Sequence, residues 1–410
     1  MDLIKLSVNA KQTKLKQLLF SALFVIAISY ASEEFIPGRL NTQKGLLVLI
    51  ALAGTLIFSC KNGMSIKVKY WRPLALFPVP FILSMLYTII VCNINGDNLG
   101  VVRQATTTTM FLLVIFFAVM AIAHFFGKST VKIMAACLIG AYSYAVMHTI
   151  LNIGVADSIK ELLAGEIERN DIGVAVVPLL LYYFYIWLIE NRKLNSNGLI
   201  VGLLLLVMLF CGKRSAFLSL GVGTILIVLV KCLGRKSVLL MKLTTLIAIL
   251  TCLIYIICIH SGELNKIFAG KGTLSDRLYV WKWFDSMYEI SPRYIGKGFG
   301  FIHRYMAAGL GDTMVNEYEY LHNSILQIYI ETGYFGFFLW IGIYLLEIPH
   351  LAMKKIGENA YVFTVISLLA MFAMFTVDNV LTYPLYQMCL YCSLYSVYRY
   401  EKIKFVGMRY

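Results

Sequence analysis

The chain has 410 residues, of which 60% are hydrophobic and only 14% charged, with a net charge of +14. A soluble domain of this size is ~45–50% apolar and ~25% charged, so a water-soluble enzyme is excluded, as are disordered, collagenous and disulfide-stapled chains. The basic residues stand in short runs between long apolar segments. That spacing excludes nucleic acid as a partner, which needs its cations gathered on one face, and is how membrane proteins place their cations.

A membrane helix needs ~20 mostly apolar residues. Twelve segments qualify: 17–31, 45–60, 73–93, 104–126, 133–152, 171–190, 199–212, 215–232, 243–260, 323–346, 361–377 and 384–398. The runs are continuous rather than alternating, so helices are expected and a β-barrel is not. The expectation is an all-α, polytopic membrane protein of about twelve transmembrane helices, forming one integral domain over 1–410. With the N-terminus inside, the cytoplasmic segments hold 22 of the 36 basic residues but only 5 of the 22 acidic ones. The inside then carries +17 and the outside −3, which predicts an N-in, C-in topology. The basic, then apolar, N-terminus resembles a signal peptide; eleven further spans favour a signal anchor. Most of the nine cysteines fall in spans, and no CxxC pair accompanies a histidine cluster, so neither a disulfide framework nor a zinc site is expected.

In chain order, Thr106–Thr109 reads as a polar patch near a helix start, and His148 as a satisfied bundle histidine. Arg169 and Asn170 sit at the outer start of the sixth span. Lys213 and Arg214 part the seventh and eighth spans on the outer side, where the charge rule disfavours them. They read either as snorkelling cations or as an anion site, with arginine as a bidentate phosphate partner.

The longest loop, 261–321, faces outside between the ninth and tenth spans, and its aromatics argue against disorder. The stretch Ser275–Glu289 predicts an amphipathic helix with Ser275 as N-cap, Pro292 as stop, and a stripe of Leu278, Trp281, Phe284 and Tyr288 lying in the membrane interface. The turn Ile295-Gly-Lys-Gly-Phe-Gly300 is weak as a phosphate cradle, because no strand precedes it, and reads first as a flexible turn. His322 stands where the chain re-enters the membrane, and Asn323, Gln327 and Glu331 continue from it as a polar seam. Glu331 falls roughly 12 Å below the helix start at ~1.5 Å per residue. A carboxylate there marks a cavity or a partner.

Three of these segments together resemble the O-antigen polymerase and O-antigen ligase superfamily of bacterial envelope glycosyltransferases. They are Gly-Lys-Arg-Ser-Ala-Phe-Leu between two central spans, Asp-Arg-Leu-Tyr-Val-Trp-Lys-Trp through Ser-Pro-Arg-Tyr-Ile-Gly-Lys-Gly-Phe-Gly, and His-Asn-Ser-Ile-Leu-Gln-Ile-Tyr-Ile-Glu-Thr-Gly-Tyr-Phe-Gly. The resemblance covers roughly 200–345; Lys213-Arg214-Ser215 departs from the commoner Ser-Arg-Gly.

The resemblance implies an enzyme of the bacterial inner membrane working at the periplasmic face. Its donor would be a glycan on undecaprenyl diphosphate, and its acceptor a second glycan or the lipid A core. Membrane lipids surround it, and a chain-length regulator is a further candidate partner. No cofactor, nucleotide sugar or metal is implied, and the sequence has no Asp-x-Asp. In that reading Arg214 and Arg277 hold the diphosphate and stabilise its growing charge. His322 takes the proton from the attacking hydroxyl, and Glu319 orients it. Arg169, Lys213, Arg293, Asn323 and Glu331 are candidate substrate contacts, and Tyr279, Trp281 and Trp283 stack on sugars or sit among headgroups. Polymerase is preferred to ligase on the Lys-Arg-Ser form and the Asp378–Pro384 stretch. The rival class is a secondary transporter; it is disfavoured because the link between spans six and seven is only 191–198 and the largest loop comes late.

Overall fold

The computed structural model describes residues 2–31, 39–59, 68–95, 99–164, 171–190, 195–268, 273–312, 315 and 320–399. Among them there is no strand. The helices are α1 (Asp2–Ala31), α2 (Arg39–Ser59), α3 (Val68–Leu74), α4 (Val79–Asn95), α5 (Leu99–Phe126), α6 (Thr130–Ile153), α7 (Val155–Ala164), α8 (Asp171–Glu190), α9 (Asn195–Phe210), α10 (Arg214–Leu233), α11 (Ser237–His260), α12 (Glu263–Phe268), α13 (Thr273–Trp283), α14 (Phe301–Ala307), α15 (Ser324–Ile341), α16 (Ile348–Lys355), α17 (Glu358–Phe375) and α18 (Pro384–Tyr398).

Among the described residues, six helical stretches are long and apolar enough to cross a membrane: Thr13–Tyr30, Gly100–Ile153, Asp171–Ile189, Arg214–His260, Ser324–Lys355 and Glu358–Phe375. Two of the six are helix pairs joined by a 3-10 turn, at Gly127–Ser129 and Gly234–Lys236. Local chemistry sets the breaks. Thr130 closes the first turn by donating its hydroxyl to the Gly127 carbonyl at 2.7 Å. Pro384 opens α18 at the position where a missing N–H costs nothing. The apolar segment 73–93 is not one helix: a turn at 75–78 separates α3 from α4, because prolines 78 and 80 withhold backbone donors.

The chain forms two compact units: 1–71 with 114–231 and 383–410, and 72–113 with 232–382. In the first, α1 lies along α6, and α8 lies between α9 and α18. Trp71 stacks on Tyr395, with ring centroids 4.7 Å apart. In the second, α15 packs on α4, and α17 on α11 and α16. Its core is aromatic: Phe81 meets Trp340 edge-on at 4.6 Å, and Trp340 stacks on Tyr344. The indole N–H of Trp340 donates to Ser84 at 2.7 Å. In a lipid setting such packing and hydrogen bonding hold helices together, since the tails are as apolar as leucine. Outward leucines and isoleucines such as Leu206, Leu239, Ile247 and Ile254 are exposed accordingly.

The loop helix forms as expected but two residues early, at Thr273, and it tightens into a 3-10 turn at Phe284–Met287 before Pro292. Its stripe of Leu278, Trp281, Phe284 and Tyr288 is buried in the second unit rather than turned outward to an interface. The indole of Trp281 donates to the Leu321 carbonyl at 2.8 Å, which fixes the face.

Candidate functional site

The site in the second unit is assembled on the turn that ends α17. Three successive backbone carbonyls there each accept a side-chain donor from another element. Thr376 accepts the Tyr255 hydroxyl at 2.5 Å, Val377 accepts Nη1 of Arg277 at 2.7 Å, and Asp378 accepts the Ser324 hydroxyl at 2.9 Å. The next carbonyl, Asn379, accepts the Thr382 hydroxyl at 3.0 Å. Asn323 joins the same knot: Nδ2 donates to the Tyr255 hydroxyl at 3.0 Å, while Oδ1 caps α15 by accepting from the Leu326 N–H. Arg277 thus spends one of its five N–H donors on the scaffold.

His322 precedes that cap. It is the one residue other than glycine with a positive φ among the described residues, at +51°. Its side chain is 22% exposed, and Nδ1 lies 3.6 Å from Oδ1 of the buried Asp378. Asp378 Oδ1 also accepts the Asn379 N–H at 2.9 Å. At 3.6 Å the contact between Nδ1 and Asp378 is electrostatic rather than a hydrogen bond. Arg277, His322 and Asn323 are therefore brought together, and Asp378 joins them. Asp378 was readable in the sequence only as part of the Asp378–Pro384 stretch; a lone carboxylate between two apolar segments was the signal for it. Nothing in its sequence neighbourhood ties it to His322.

Glu331 is buried, but against protein. Its Oε1 accepts the Ile302 N–H at 3.1 Å and the Gln327 amide at 3.3 Å. Its carbonyl accepts the Gly298 N–H at 2.8 Å. The Gly-rich turn is correspondingly spent: Lys297 N–H goes to the Ile330 carbonyl at 3.0 Å, and Phe299 N–H to the Thr88 hydroxyl at 2.8 Å. With those donors used, the turn is no phosphate cradle, and it is packed rather than flexible: Gly296, Gly298, Phe299 and Gly300 are buried. Tyr294, beside the turn, donates to the Ile330 carbonyl at 2.7 Å, and burial, with Tyr329 and Glu331 nearby, pushes its phenol well above the usual range.

Lys213 and Arg214 open α10 in the first unit, Arg214 exposed and Lys213 with its ammonium 5.9 Å above the Tyr383 ring. Arg293 is exposed on a turn closed by its own N–H and the Ser291 hydroxyl. Arg169 and Glu319 lie outside the described residues. Tyr279 is exposed and donates its hydroxyl to Asp312, whose carboxylate raises the phenol's pKa.

Residues 199–341 match the family model described as O-antigen ligase. The match supports a likeness of that segment to the O-antigen polymerase and ligase superfamily. The match holds Lys213, Arg214, Arg277, His322 and Glu331, and leaves Asp378 outside. No curated protein matches the chain. The match and the apolar helices point to a multi-pass membrane protein with a glycosyltransferase-like segment.

Proposed function

We propose that the chain is a glycosyltransferase of the bacterial inner membrane that moves a glycan from undecaprenyl diphosphate onto an acceptor hydroxyl at the periplasmic face. The observation that carries this reading is the convergence of Arg277, His322, Asn323 and Asp378 on one turn. In the proposed step the acceptor hydroxyl attacks the anomeric carbon while the carbon–oxygen bond to the diphosphate breaks. Nε2 of His322 takes the hydroxyl proton. Asp378, 3.6 Å from Nδ1, stabilises the imidazolium that forms. The Arg277 guanidinium meets the charge growing on the departing diphosphate. Lys213, Arg169 and Arg293 are proposed contacts to phosphate or sugar, and Asn323 positions His322 by capping α15.

We read the acceptor as the sugar end of another lipid-linked repeat, making the protein a polymerase of O-antigen or another surface polysaccharide. The second reading, transfer to the lipid A core, is favoured by the description of the matching family. A deletion strain separates the two on a lipopolysaccharide gel. One repeat left on the core supports polymerase, bare core supports ligase, and an unchanged ladder removes both.

A further inference from the structure

We propose that Arg103 and Arg304 form a second anion site, built for a phosphate group carried on a lipid. Neither residue belongs to the transfer machinery above, and the proposal does not rest on that reading. The start of α14 packs on the first turns of α5, which carry Arg103. A Cβ on Gly100 would meet Arg304 Nε at 3.0 Å, Cζ at 3.6 Å and Nη2 at 3.7 Å, so the guanidinium lies against the bare backbone of that turn. A Cβ on Gly300 would meet Gln104 Cγ at 2.8 Å and the Ala105 nitrogen at 3.3 Å, which fixes the register of α14 on the same helix face.

Arg103 is three residues beyond Gly100, so the two share a face with Cβ positions about 5–6 Å apart. A helical side chain leans toward the N-terminal turn, which sets the Arg103 head within reach of Gly100, where Arg304 lies. Both arginines are exposed. Neither has an ion-pair partner among the described residues. Two forks within reach of one turn, with no ion-pair carboxylate among the described residues, repel each other until an anion bridges them, and guanidinium geometry matches phosphate oxygens. The turn is also the head of an apolar stretch long enough to cross a membrane, Gly100–Ile153. A group reaching that level is a lipid phosphate: the headgroup of an anionic phospholipid, or the diphosphate of a polyprenyl carrier.

The test uses the purified full chain and no glycan transfer. Native mass spectrometry counts phosphatidylglycerol retained from nanodiscs of phosphatidylglycerol and phosphatidylcholine, and a titration measures farnesyl diphosphate. The double variant R103Q/R304Q is expected to weaken one probe at least about tenfold, the usual scale for charged hydrogen bonds. Loss of phosphatidylglycerol identifies a headgroup site; loss of one class of farnesyl diphosphate site identifies the carrier. Unchanged binding of both probes by a variant of unchanged thermal stability overturns the proposal. Should the double variant fail to fold, R103K and R304K serve instead, since they keep the charge and remove the fork. Each is then expected to weaken binding severalfold, and unchanged affinity in both overturns the site.

Discussion

His322 holds a backbone conformation that most side chains avoid, and it is the base of the proposed transfer step. A residue other than glycine in the left-handed region costs of order 1–3 kcal/mol and persists where the surroundings impose it. Here the Asn323 cap and the two Ser324 bonds to the Asp378 carbonyl impose it. His322→Gly relieves that strain, so its thermal unfolding is expected within about 1 kcal/mol of the wild type. Its transfer rate on a synthetic lipid-linked repeat is expected to fall ~10²–10⁴-fold, the worth of a positioned base. His322→Gln is expected to lose as much while still binding donor. Near-normal turnover in the Gln variant removes the imidazole from the reaction. Arg277 has a double role, so its variants read differently. Arg277→Ala also strips the Val377 carbonyl of its donor and is expected to lose about 1–3 kcal/mol of stability along with activity. Arg277→Lys restores charge without the fork and is expected to recover activity in part. Equal activity in all three forms takes Arg277 out of the site.

Among the elements, the Gly-rich turn and the kink of α15 are one feature. Gly333 sits at φ 72°, ψ −174°, a region open to glycine alone. A Cβ there would meet the Ile295 carbonyl carbon at 2.4 Å, and one on Gly296 would meet the Gly333 nitrogen at 2.6 Å. The two backbones touch, and three hydrogen bonds, Lys297 to Ile330, Gly298 to Glu331 and Tyr334 to Tyr294, close the contact. Gly333→Ala is therefore expected to cost at least about 2 kcal/mol from strain and overpacking and to lower the unfolding temperature sharply. Glu331→Gln keeps an acceptor for Ile302 and is expected to be far milder than Glu331→Ala. If Gln and Ala are equally harmful to activity but harmless to stability, Glu331 acts on substrate instead. The sequence made the helices plain, because a run of apolar residues is a local signal. Each glycine could be read singly as a turn, but their pairing is non-local, and so is that of His322 with Asp378. The third apolar segment misled for a related reason: its hydropathy is continuous, while prolines 78 and 80 break the hydrogen-bond ladder.

For the whole molecule, the asymmetry of charge is the feature with the longest reach. The basic runs at the N-terminus, around Lys231–Lys242 and at Arg399–Arg409 share one side in the proposed topology, and the loop 261–321 takes the other. A single chain can report both sides. Cys232 is exposed at the end of α10, on the proposed cytoplasmic face. Ala308 is exposed in the loop with an ordinary φ of −86°, so a cysteine fits there, whereas neighbouring Gly309 at φ +65° would strain one. Most other described cysteines are buried, which keeps the background low. In whole cells an impermeant thiol reagent is expected to label Ala308→Cys above the wild-type background, and to leave Cys232 unmodified until lysis. The opposite pattern, with Cys232 labelled in intact cells and residue 308 only after lysis, would invert the topology. It would also put the His322 turn on the cytoplasmic side, where a periplasmic glycan on a lipid diphosphate could not reach it. The labelling therefore tests the side on which the chemistry must happen, independently of whether any substitution in the site impairs it.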